Sequence, residues 1–244
     1  MADPIHQFVI QDLVPLHIGG VDLSFTNSAL WMVIAAGLSS VVLTMAMSRA
    51  SIVPNRLQVV AESAYSFVAN MVRDNAGTEG MRFFPLIFTL FIVVLMGNAL
   101  GMIPYSFTYT SHLAVTGALA LFIFIFVTIV GFIRHGLHFL SLFSPEGVPL
   151  VLKFFVIPLE IISYLTRPVT LSVRLFANMM AGHLLLKVFA GFCVSLMSVS
   201  IALSLLPMAF NAVMIAFEFL IAGLQAYVFT VLTCVYLKDA IELH

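Results

Sequence analysis

The chain has 244 residues, 62% of them hydrophobic and only 9% charged, with a mean hydropathy of +1.14. Soluble domains carry about 25% charged residues, so this composition predicts an all-α integral membrane protein, a single membrane domain over 1–244. Ten basic and eleven acidic side chains nearly cancel, which leaves no basic field for nucleic acid.

In chain order, residues 1–27 carry neither the basic start nor the prompt apolar run of a leader peptide. They are expected to form a periplasmic N-terminal segment, with the first span, 28–48, directing insertion itself. A crossing needs about 20 apolar residues; Ser28 to Met47, Phe83 to Pro104 and Leu113 to Ile133 supply three, the last two forming a block at 83–133. Between them, 53–75 places Leu57, Val60, Ala61, Ala64, Val68 and Met71 at helical spacing behind Pro54, which predicts an amphipathic helix on the membrane surface.

After Glu146 the pattern changes. Residues 148–240 contain two apolar stretches, each about twice a perpendicular span, the second starting near Ser195. They predict a long, steeply inclined helical hairpin in which Pro158, Pro168 and Pro207 bend the helices without ending them. The total is about five membrane helices plus the surface helix. Arg49, Arg56, Arg73 and Arg82 lie in the first connection, none in the stretch before Trp31, and Arg134 and Lys153 in the third connection. That alternation predicts an outside N-terminus and a cytoplasmic C-terminus.

The hairpin also holds charges that lipid does not tolerate alone. Arg174 has some 20 mostly apolar residues on each side and cannot shed its proton, so it must face protein or water. At about 100° per residue, Glu160, Arg167, Arg174 and Asn178 fall on one stripe, while His183 lies roughly 180° around from Arg174 and is expected to face a different neighbour. On the last helix Glu218 and Gln225 share a face, with Ala222 and Gly223 between them for close approach. A buried carboxylate and a buried imidazole tolerate each other and titrate as a unit, which is what a proton pathway needs.

Other chemistry is poorly supported. Cys193 and Cys234 sit in apolar runs without metal-type spacing, His112 and His183 do not make the paired histidines of a haem site, and no GxxxxGK[ST] run occurs. No metal, cofactor or nucleotide chemistry is expected. A proton-coupled secondary transporter is the rival reading, but it calls for repeated halves that the chain lacks.

"RPVTLSVRLFANMMAGH" at 167–183 and "FEFLIAGLQAYVFTVLTCVYLKDAIELH" at 217–244, together with the earlier "NRLQ" and "GNALGMIPY", strongly resemble the subunit a family of F-type rotary ATP synthases. The resemblance covers essentially the whole chain and is most specific over its last third. It implies five transmembrane segments, a surface helix, and a stator role beside a ring of c subunits, with b-type peripheral stalk subunits and the rest of the synthase as further partners. It implies no catalysis by this chain alone, H+ as the translocated ion, and a bacterial inner membrane. Arg174 matches the family's essential arginine, Asn178 the asparagine one turn later, and Gln225 the glutamine opposite. His183 and Glu218 stand exchanged relative to many bacterial members, as in mitochondrial and related bacterial versions. The implied route enters by His183 and Glu218, is lined by Asn178 and Gln225, and leaves past Glu160, Ser163 and Arg167.

Overall fold

The computed structural model describes residues 8–15, 17–18, 21–22, 24–48, 51–103, 106–143, 149–198 and 200–242. Arg49, Pro104 and Glu146, which bear on the expected loops and span ends, lie outside them. Among the described residues before the first helix are four short strands, β1 (Asp12–Val14), β2 (His17–Ile18), β3 (Val21–Asp22) and β4 (Phe25–Thr26). They pair antiparallel, β1 with β4 and β2 with β3, so one hairpin is nested inside another. The composition pointed to no strands here.

Among the described residues six α-helices follow: α1 (Asn27–Met47), α2 (Arg56–Gly80), α3 (Phe84–Gly101), α4 (Leu113–His135), α5 (Leu150–Met197) and α6 (Ile201–Ile241). They give five stretches of helix long and apolar enough to cross a membrane. Thr26 starts α1 by accepting the Ala29 N–H on its hydroxyl at 3.3 Å, which satisfies one of the donors a helix start leaves open. Inside α1, Ser40 and Thr44 donate their hydroxyls to carbonyls one turn back, at 2.8 and 2.7 Å. In a medium without water this internal satisfaction is what lets polar side chains reside in a span.

At 48 and 41 residues, α5 and α6 run about 72 and 62 Å at 1.5 Å per residue. Both continue through their prolines. The turn between them falls after Met197, a little later than the apolar pattern around Ser195 suggests. Ser198 bonds the Ser195 carbonyl at 2.7 Å, so α5 finishes on its own hydroxyls. α2 runs on to Gly80 and breaks at Gly77, whose φ of 68° is a left-handed conformation suited to glycine.

The described residues form two compact units. One comprises residues up to 50, 92–113 and 175–227; the other comprises 51–91, 114–174 and 228–244. In the first, Val94, Asn98, Leu175, Met179, Ala222 and Ala226 are buried together with Glu218 and Gln225. In the second, α2 buries Ala61, Val68, Met71, Val72 and Ala76. Leu57 and Val60 of its expected apolar set stay exposed, alongside Tyr65 and Phe67. The protein-facing stripe of α2 therefore runs through Ala61, Val68, Val72 and Ala76, and Leu57 and Val60 lie off it. Ile87, Ile123, Val127, Phe139, Tyr164 and Phe229 complete that second core.

Candidate proton-transfer site

The first unit brings together the histidine and the acid. Nδ1 of His183 lies 3.4 Å from Oε1 of Glu218, with the Glu218 side chain 3% exposed. Nε2 of His183 lies 3.0 Å from the Thr108 hydroxyl, and that hydroxyl also donates to the Gly101 carbonyl at 3.2 Å. One hydroxyl has one proton. When Thr108 gives it to Gly101, His183 must donate from Nε2, and Nδ1 is left to share a proton with Glu218. Threonine thus selects the imidazole tautomer that turns its exchangeable site to the carboxylate.

Two further polar residues pair between the same helices, seven residues on along α6 and five residues back along α5. Nδ2 of Asn178 donates to Oε1 of Gln225 at 2.9 Å. Asn98 of α3 donates to the Ala222 carbonyl at 3.1 Å, between Glu218 and Gln225 on α6. Asn178 and His183 are five residues apart, yet both reach α6. The angular separation assigned His183 a different neighbour from the stripe that holds Asn178; long side chains on the two flanks of one α5 face instead converge on the Glu218 and Gln225 face.

Close approach here depends on a glycine. A Cβ at Gly182 would stand 2.7 Å from Oε1 of Glu218, so any larger residue displaces the carboxylate. Both Glu218 oxygens and Nε2 of Gln225 are buried without a hydrogen bond among the described residues. Such groups call for water or a transferable proton. A cavity of about 1040 Å³ adjoins Glu218, lined by Asn27, Trp31, Lys187 and Asn211 as well as His183 and Glu218. In the connection before α4, burial pushes the Tyr109 phenol up to about 12 and moves His112 down from the usual histidine range.

The second unit holds the two arginines of α5. Arg174 is exposed and has no ion-pair partner among the described residues. Arg167 meets Asp239 at 3.0 Å. Glu160 is half-buried and Ser163 exposed, and neither side chain has a hydrogen bond or ion pair among the described residues. Thr108, Gly182, Asn98 and Asp239 escaped the sequence reading. Only the "GNALG" spacing and the glycine beside His183 hinted at close packing there.

Replacing Thr108 by valine keeps the shape and removes the hydroxyl. Loss of one net hydrogen bond, about 1 kcal/mol, corresponds to about fivefold, and the ratio of Nε2-protonated to Nδ1-protonated His183 is expected to fall by about that factor, as read from its ring nitrogen chemical shifts. An unchanged ratio would mean that the hydroxyl does not hold the imidazole.

The sequence model of the family described as ATP synthase A chain matches residues 29–238. A protein of Mesorhizobium japonicum named ATP synthase subunit a is 57% identical over 244 residues, covering 99% of this chain and 97% of the relative. A Rhodospirillum rubrum protein of the same name is 54% identical over the full length of both, and one from Parvibaculum lavamentivorans is 54% identical, covering 99% and 94%. With the family pattern spanning nearly the whole chain and relatives above half identity end to end, the chain belongs to the ATP synthase A chain family.

Proposed function

We propose that the chain conducts protons through two offset half-channels at its interface with a c-subunit ring, so that a proton gradient turns the ring and drives ATP synthesis. Family membership makes it a proton-conducting membrane subunit of an ATP synthase, not catalytic by itself. The finer reading rests above all on one observation. His183 and Glu218 form a buried acid and base pair 3.4 Å apart on the wall of a roomy cavity.

In this mechanism protons enter from the periplasmic side through that cavity and pass to the His183 and Glu218 pair. Asn178 and Gln225 line the way onward to a carboxylate on the ring. Arg174 favours the ionised form of each arriving carboxylate and so takes part in proton release. Its fixed charge also blocks direct passage between the half-channels. Protons leave to the cytoplasm past Glu160 and Ser163. Each charge crossing gains about 2.3 kcal/mol per 100 mV, and a leak past Arg174 would dissipate it.

The same reading places α2 on the membrane surface, the N-terminus in the periplasm and the C-terminus in the cytoplasm of a bacterial inner membrane. A c ring and b-type stalk subunits are the partners. Purification of the tagged chain under mild detergent tests it: a ring of small proteolipids and a soluble ATPase head are expected to come with it, and the reconstituted complex is expected to acidify vesicles on ATP addition. A bound metabolite without proteolipids would favour a transporter instead.

A further inference from the structure

Arg167 stands two turns before Arg174, and its surroundings assign it a different task from proton carriage. Its guanidinium lies 3.0 Å from the Asp239 carboxylate on α6. It also sits over two aromatic rings, 5.3 Å from the centre of Tyr164 on α5 and 5.1 Å from that of Tyr236 on α6. A planar cation between two π faces with a carboxylate at its edge is a seat that guanidinium fills and ammonium fills poorly.

The seat is itself anchored. Thr128 of α4 donates to the Phe124 carbonyl at 2.7 Å, so the 2.7 Å contact between the Thr128 and Tyr164 hydroxyls has Tyr164 as donor. Phe124 and Phe143 press on the Tyr164 ring at 5.0 and 5.4 Å between centres. Three helices of the second unit thus converge on one arginine.

We infer that Arg167 is a positioning residue whose clasp by Asp239, Tyr164 and Tyr236 fixes the rotation of α5, and with it the place where Arg174 presents its charge. Seven residues at 100° each bring Arg167 and Arg174 within about 20° of one face. A helix turned by that angle carries a side-chain head about 6 Å from the axis through about 2 Å. An error of about 1 Å in a reacting group can cost about 100-fold. An arginine that never deprotonates has no proton to relay, so the clasp acts through geometry.

The inference rests on the role given to Arg174 above, and its test keeps the two apart. Inverted vesicles holding the whole synthase are compared for ATP-driven proton pumping, with subunit content and ATP hydrolysis measured alongside. Arg167→Gln and Asp239→Asn are expected to lower pumping about tenfold, by the same factor across the neutral pH range. Arg167→Lys, and the exchanged pair Arg167→Asp with Asp239→Arg, are expected to recover part of the loss. Tyr236→Leu removes one face of the seat without touching a charge and is expected to lower pumping several-fold even if the charge variants fail to assemble.

Normal pumping in Asp239→Asn or Tyr236→Leu overturns the clasp. So does a shifted pH profile in Arg167→Gln, the mark of a proton carrier, or failure of both the lysine and the exchanged pair to recover activity. Normal pumping in Arg174→Ala removes instead the reading on which the clasp depends.

Discussion

Arg174→Ala is expected to abolish ATP synthesis in inverted vesicles, by more than about 100-fold, while the head continues to hydrolyse ATP. The argument is electrostatic. Two unit charges 4 Å apart interact by about 4 kcal/mol at an effective dielectric of 20. One unit of pKa is worth about 1.4 kcal/mol, so the guanidinium shifts an approaching carboxylate by about 3 units toward its ionised form. Alanine removes that push and the barrier together. The ring carboxylate then keeps its proton, and protons are free to leak between half-channels. The open face of Arg174 on α5, with no ion-pair partner among the described residues, suits a charge whose counter-ion arrives from outside the chain. Arg174→Lys keeps the cation without the planar fork and is expected to retain more synthesis than alanine. Synthesis at the wild-type rate in the alanine variant would remove Arg174 from the mechanism.

The second large effect is expected at Glu218. Its glutamine variant has nearly the same volume, so the close fit against Gly182 survives. It also spares the fold the cost of a buried ionisable group. The complex should therefore assemble, which separates chemistry from folding. Glutamine can still meet His183 through a hydrogen bond but holds no transferable proton. Proton-transfer groups typically contribute 100-fold or more, and passive conduction through head-stripped membranes is expected to fall by about that factor. His183→Ala is expected to fall similarly, and the double variant no further, because acid and base act as one unit. Additive losses would mean that His183 and Glu218 serve separate routes.

The agreement and the misses between sequence and structure have physical causes. Run length determined the helices, since lipid admits few alternatives to a hydrogen-bonded helix of sufficient length; α1, α3 and α4 end within a few residues of the expected limits. The angular period of α6 placed Glu218 and Gln225 on one face, and both are buried. The end of α5 was less legible, because Ser195, Ser198 and Ser200 offer the backbone local bonds in place of a clean boundary. The paired strands before α1 were missed altogether. In the sequence Gly19 and Gly20 between short apolar runs are a turn signal, but strands of two or three residues are too short to show an alternating pattern.

By itself the sequence determined the membrane class, the helices and the identity of the charges, because these depend on side-chain type and on local periodicity. Only tertiary structure decided which groups meet. Thr108 finds His183 across 75 positions, and Asp239 finds Arg167 across α5 and α6. Glu218 rests where Gly182 has no side chain. Distances of 3 Å between residues far apart in the chain follow from how helices pack, and no local pattern encodes that register.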